Sequence, residues 1–483
     1  MHFSRLSAFT WQSLNLLVMV PLLTASRAIA VAADSAMAEA TAGIANGSRL
    51  YVGHDARLTA EIPADWQPDM ALLYDYAGPD GFIFSHSLDV SPMSLDTACA
   101  ETANHNRFAG RGQSQRTTWR DQPACVVRSS GVGDLAPVAL VFAHPHPAED
   151  GHNRFVSIFV DAAHFDSVLE TVSFDPARVT PDAYLDAAID FAQTHSLWRD
   201  QLDRAFTRST AHDLLANQPA DQGLQRAHKP IRYVASQIRQ AGGDGHNSFL
   251  EGGALGETSV PASVPLPTGE SLTGAVGYIA IPGFTGDNDQ ALQFATAGRG
   301  IVHDAVDGGA CGWIVDLRMD TGGNMYPMTG VLAPLQPSGE VIRFRDINGS
   351  EQVVTYDGKG GFVYDGQPMD SIYSPAVQGE GEATALAFAG RDRTRFFGST
   401  TARFTTSPIV VHLFDGAVLL IATTWMVGPH GAIYPNGIAP DVEISSGNVS
   451  AASNNDAVVK AAMAWLEQQP ACANRKATPG ATA

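Results

Sequence analysis

Three separated phrases carry residue types that could do acyl-transfer chemistry. "GGDGHNSF" places His246 after a glycine-rich turn, with Asp244 just before it. An imidazole is the usual general base near neutral pH, and a nearby carboxylate can fix its tautomer. "DLRMDTGGNM" ends a strand pattern in Arg318 and then reaches Gly322 and Gly323. Glycines there let backbone N–H groups face a pocket, the geometry that stabilises an oxyanion. "PAVQGEGEATALAF", Pro375 to Phe388, sets two glycines and two glutamates directly before a run of helix formers. Unpaired N–H groups at a helix start carry partial positive charge and hold an anion well. A reactive hydroxyl or thiol is expected at such a turn; the residue present is Glu380.

That substitution matters chemically. Peptide hydrolysis through an acyl-enzyme needs an oxygen or sulfur nucleophile whose proton the base removes. A carboxylate is already deprotonated, is weakly nucleophilic toward an amide, and would form a mixed anhydride. Facing a pocket, Glu380 would also oppose the charge that develops on an oxyanion. A helix start would instead stabilise its carboxylate by about 0.3–1 kcal/mol. Glu380 therefore suits stability or binding better than acyl transfer. Two other routes stay open: Ser374, presented to His246 by a shifted loop, or Glu380 as a general base on water with His246 as the acid.

The elements that must position these residues follow from periodicity. "TPDAYLDAAIDFAQTHSLWRDQLDRAFTRSTAHDLL" reads as helical, with Thr180 and Pro181 suited to its start. A second helix over "LQRAHKPIRYVASQIRQA" stops at Gly242 and Gly243 and delivers the chain to His246. Residues 251–274 are rich in Gly, Pro, Ser and Thr and read as loop. Buried-strand patterns follow in "AVGYIAIPGF" and "CGWIVDLR", separated by a helical segment. Past Glu380 come a helix from Ala383 to Ala389 and a hairpin, "SPIVVHLFDGAVLLIATTWMV", turning at Asp415 and Gly416. Strands alternating with helices predict an α/β layer architecture. Ahead of it, residues 46–175 read as an α+β module with short strands in "RLTAEIPADW", "GFIFSHSLDV", "PACVVRSS", "VALVFAHPH" and "RFVSIFVDA". No catalytic constellation appears in that module.

Composition bounds the partners. The chain has 483 residues, 45% of them hydrophobic, and a net charge of −20 from 50 acidic and 30 basic side chains. That length predicts two or three domains, and that charge disfavours nucleic acid and anionic membrane surfaces. "MHFSR", the apolar Leu14 to Leu23 and Ala28-Ile29-Ala30 have the arrangement of a secretory signal, with a mature chain from Val31. An uncleaved anchor is the alternative. The four cysteines then meet an oxidising compartment, where pairing is the default. Cys99 with Cys125 is the preferred bridge, and Cys311 is either paired or a free core thiol. The histidines of "HPHPAEDGH" read as a polar loop, and nothing has metal-ligand spacing.

From about Pro181 to Ile444 the chain resembles the tail-specific or C-terminal processing peptidases, family 41 of the serine peptidases. It is most similar to the branch that uses a His partner instead of a Lys, as the tricorn core does. The matching phrases are "DGHNSF", "GYIAIPGF", "GWIVDLRMDTGGNMYPM", "GEATALAFAGRDRTRFFG", "DGAVLLIATTWM" and "GIAPDVEI". The resemblance implies a crotonase-like core with its active site at a domain junction, a peptide or unfolded-protein substrate, and no cofactor. It assigns the base to His246 and the oxyanion donors to the N–H groups of Gly381 and Gly322. The nucleophile position falls on Glu380, where the family has Ser. Ser399 replaces a usual Glu, and "VGPHG" replaces a usual acidic position. There is no room for a PDZ-like insert. The implied organisation is a signal peptide (1–30), the α+β module (46–175), a helical segment (181–250), the peptidase-like core (275–446), and a C-terminal helix and tail (447–483). The expected protein is secreted or periplasmic, with no membrane span after signal cleavage. It is a serine-peptidase relative whose hydrolysis is impaired or lost at Glu380; the alternative is a peptide-binding or interaction protein on the same fold.

Overall fold

The structure is a computed structural model. It describes residues 47–476 apart from 55, 73, 89–93, 106–107, 109–110, 130–135, 146–153, 252–262, 337, 357–361, 365–366, 369–380, 429 and 446–455. The expected signal segment, Ser374, Glu380 and most of the histidine-containing loop lie outside the described residues. Two compact units emerge: Phe9–Gly256 with Pro408–Thr423, and Glu257–Ser407 with Thr424–Ala483.

In the first unit a seven-stranded antiparallel sheet runs in the order Gln67–Pro68, Tyr76–Ala77, Phe82–Leu88, Phe155–Asp161, Pro137–Ala143, Gln122–Ser129, Gly112–Trp119. Alternation sends Ile83 and Val160 into one core with Trp66 and Leu58, and Phe84 and Phe159 into another with Cys99 and Cys125. Both faces are therefore covered, which is why Phe155–Asp161 is buried along its whole length. A disulfide between Cys99 and Cys125 ties helix Leu95–Asn104 to the sheet. Strand Gly112–Trp119 escaped the sequence reading because its interior positions are polar and exposed on both faces.

Helix Pro181–His195 starts where expected, with the Thr180 side chain accepting from the Ala183 N–H. The single helical run read through Leu215 is instead divided. Buried Arg199 donates to the Thr194 and Met70 carbonyls, and Asp203 caps a new helix, Arg204–Ala216, at the Phe206 N–H. Capping chemistry overrides continuous helical propensity here. Helix His228–Gly242 stops at Gly243, whose φ of +68° is left-handed. The hairpin apex also belongs to this unit: Asp415 accepts from the Tyr184 hydroxyl at 2.7 Å and lies 2.6 Å from His228 Nε2.

In the second unit Val276–Ala280 pairs parallel with Gly312–Asp316 and antiparallel with Thr268–Leu272. The last strand corrects the loop expected over 251–274; it is almost wholly exposed, so it carries no apolar signal. Helix Asn288–Asp307 joins the parallel pair and begins in a capping box between Asp287 and Gln290. Gly339–Asp346 and Glu351–Tyr356 form a further antiparallel pair whose turn includes Asn348 and Gly349 (φ +84°), which the sequence reading had not assigned. The helix expected from Ala383 to Ala389 spans Gly381–Leu386 instead. Helices Ala457–Leu466 and Pro470–Lys476 close the unit, the second joined to the central strands by a Cys311–Cys472 disulfide. Cys311 is therefore not a free thiol. Among the described residues no helix is long and apolar enough to cross a membrane.

Candidate functional site

In the first unit, one group of candidate residues lies in the turn that follows helix His228–Gly242. Asp244 Oδ1 accepts the His246 N–H at 2.8 Å and lies 3.2 Å from His246 Nδ1. Both side chains are buried. An Nδ1–H facing Asp244 leaves the ring lone pair on Nε2, the arrangement a general base requires. Asn247 pins the turn from both directions. Its side-chain oxygen accepts from the Ala422 N–H at 3.0 Å, and its carbonyl accepts two bonds from the Arg239 guanidinium.

In the second unit, another group lies in the loop after strand Gly312–Asp316. Arg318 folds back, bonding Asp316 through Nε at 2.9 Å and Asp456 through Nη1 at 2.6 Å, so its charge is spent on the scaffold. The glycines form a tight turn against Phe284. The Gly322 carbonyl accepts from the Phe284 N–H at 3.1 Å, and the Phe284 carbonyl accepts from the Asn324 N–H at 2.8 Å. Gly323 has φ +110°, and a Cβ there would come within 1.9 Å of the Phe284 oxygen. Only glycine fits.

The two glycine N–H groups differ. That of Gly322 donates to Asp320 Oδ1 at 3.0 Å, whereas that of Gly323 has no partner among the described residues. Among the described residues, Asp320 Oδ2 is buried without a hydrogen bond. Burial pushes the Asp320 carboxyl up to about 6; the Gly322 N–H works against that shift and the charge of Glu382 adds to it. Glu382 sits in the first turn of helix Gly381–Leu386, nearly fully buried, and its carboxylate accepts the N–H groups of Arg403 and Phe404. It is thus a structural clamp on the segment that follows.

Of the residues singled out from sequence, Asp244 is brought to His246, Gly322 and Gly323 share one turn, and Gly381 opens its helix. Asp320, Asn247 and Glu382 were missed. A signal for Asp320 existed: an Asp two positions before Gly is a common side-chain-closed turn. The module that offered no catalytic constellation in sequence shares with helix Pro181–His195 a cluster of buried titratable groups. A cavity of about 80 Å³ in the first unit is lined by Tyr51, His54, Tyr76, His86, Asp190 and His195, among others. Burial pushes His54 and His195 down to about 4, so both imidazoles are neutral at physiological pH. Among the described residues no group of His, Cys, Asp or Glu could hold a metal.

Residues 275–444 match the family model described as peptidase family S41. The nisin-resistance protein of Lactococcus lactis subsp. lactis is 26% identical over 286 residues, covering 56% of this chain and 86% of that protein. Among solved structures, a lipoprotein from Streptococcus agalactiae is similar over 60% of this chain and 96% of its own, at 20% identity and a TM-score of 0.47. The photosystem II D1 C-terminal processing protease is similar over 55% of this chain and 94% of its own, at 14% identity and a TM-score of 0.40.

Proposed function

Residues 275–444 are a domain of peptidase family S41, and on that premise we propose that the protein acts outside the cytoplasm on polypeptide chains, binding them while hydrolysing them poorly or not at all. The core is taken to be crotonase-like, following the resemblance. In the roles the family pattern assigns, His246 is the base and the backbone N–H groups of Gly322 and Gly381 receive a ligand oxygen; Asp244, beside the ring, would orient it. Glu380 stands at the nucleophile position. The names nisin-resistance protein and lipoprotein fit action outside the cytoplasm, as does the signal-like arrangement of residues 1–30.

One observation carries the reading: the Asp244–His246 pair is fully built, with 3.2 Å between carboxylate and ring, while the position it would serve is a glutamate. A base with no proton to remove from a nucleophile cannot start acyl transfer. The test is to incubate the full chain and its Glu380→Ser variant with a fluorophosphonate probe and with casein. The wild type should neither label nor cleave. Glu380→Ser should do both, and adding His246→Ala should reduce cleavage by about 10²–10⁴-fold. Labelling of the wild type that disappears in Ser374→Ala would overturn the assignment of impaired hydrolysis.

A further inference from the structure

The glycine turn of the S41 domain departs from its expected use. Gly322 N–H, the donor that the family pattern would offer to a ligand, is already held by Asp320 Oδ1 at 3.0 Å. Gly323 N–H has no partner among the described residues, and neither has the buried Asp320 Oδ2. A carboxylate oxygen removed from water without a donor is costly. A proton on it removes that cost and converts an empty acceptor into a donor. The same device, a carboxylic acid kept neutral so that it can donate, is a known way of holding a ligand oxygen.

We propose that Asp320 is a ligand-binding residue. In its acid form it keeps the Gly322 N–H on Oδ1 and donates its own O–H from Oδ2 to an sp² oxygen of a bound polypeptide, beside the Gly323 N–H. The inference rests on the polypeptide-binding reading above. The oxygen is a backbone carbonyl or the C-terminal carboxylate, which accept in the same way.

The surroundings favour the acid form. Glu382, on helix Gly381–Leu386, is the charged side chain that acts on Asp320. Arg318, in the same loop, is turned to Asp316 and Asp456. No cation among the described residues pairs with Asp320. With the carboxyl pushed up to about 6, the acid form dominates at mildly acidic pH. Ionised Asp320 would instead set a negative acceptor against the ligand oxygen. Binding is therefore linked to uptake of one proton and strengthens as pH falls, about tenfold from pH 7 to pH 5.

The test uses the full chain and reduced, carboxymethylated α-lactalbumin, a permanently unfolded polypeptide, with affinity read by fluorescence anisotropy between pH 5 and pH 7.5. Wild type should tighten about tenfold toward pH 5. Asp320→Asn, whose amide oxygen can keep the Gly322 N–H while its NH₂ donates, should bind as tightly at pH 7 as at pH 5. Asp320→Ala should bind weakly throughout. A short unstructured peptide with a free or an amidated C-terminus then identifies the oxygen: loss on amidation assigns the terminal carboxylate, equal affinity a backbone carbonyl. Wild-type affinity that follows the Asn variant at every pH, or an Ala variant as tight as Asn, overturns the role of Asp320 and leaves polypeptide binding standing. Absence of binding by all three proteins at every pH removes the polypeptide-binding reading as well.

Discussion

Two turns in this chain are built to the same local plan and leave their carboxylates with different partners. In each, an Asp accepts the N–H of the residue two positions on: Asp244 that of His246 at 2.8 Å, Asp320 that of Gly322 at 3.0 Å. In the first turn the imidazole comes back to within 3.2 Å of the same carboxylate, which therefore has both a backbone and a side-chain partner. In the second the residue two positions on has no side chain to return. Asp320 Oδ2 is left buried and unbonded, and the charge of Glu382 adds to the penalty. The two turns thus differ in whether a side-chain partner returns to the carboxylate, and a polar oxygen left buried without a donor is costly.

The contrast can be broken most severely at Gly323. Alanine there would drive a Cβ to 1.9 Å from the Phe284 oxygen at φ +110°, and we expect a loss of about 3–5 kcal/mol in urea denaturation. The corresponding change at Gly243, which closes the helix before the first turn, meets open space at φ +68° and should cost only about 1 kcal/mol. Next in size is Asp244→Ala. It strands a buried N–H and the ring of His246, and the expected destabilisation is about 2 kcal/mol at pH 7, read the same way.

One further effect has the opposite sign and sharpens the comparison most. The Asp320 carboxyl is pushed up to about 6 in the folded protein, so the folded state holds its proton more tightly than the unfolded chain does. Stability from this group is present below the unfolded value of about 4 and is lost as pH rises through about 6. Asp320→Asn keeps the acceptor for Gly322 and should be more stable than wild type by about 1–2 kcal/mol at pH 7. That gain should vanish near pH 4. An Asn variant less stable than wild type at pH 7 would show that ionised Asp320 has a partner that stabilises it.

Much of the framework was readable from local chemistry. The hairpin apex at Asp415 and Gly416 turns where the Asp-Gly pair predicted, with Gly416 at φ +87°. The Cys99–Cys125 pairing and the stop at Gly243 also follow from residues close to them in sequence. The elements that escaped are those with no buried face to impose a period. Thr268–Leu272 and Gly112–Trp119 are edge strands, exposed along nearly their whole length, and their order comes from backbone pairing alone. The break after His195 was hidden for another reason: Ser196 and Asp203 are tolerable inside a helix, and it takes the Asp203 cap together with buried Arg199, bonded to the Thr194 carbonyl, to divide the run.

The glycine turn divides in the same way. By itself the sequence determined that an Asp-x-Gly phrase follows an apolar strand, that a His follows an Asp-Gly pair, and that a glutamate, Glu380, stands directly before Gly381. Those are matters of residue identity and short-range hydrogen bonding. Only the tertiary structure decided which glycine N–H is already taken and which oxygen of Asp320 is buried without a donor. Proton affinity depends on the water that packing removes and on charges that folding brings near. Glu382 reaches Asp320 only once the chain is folded.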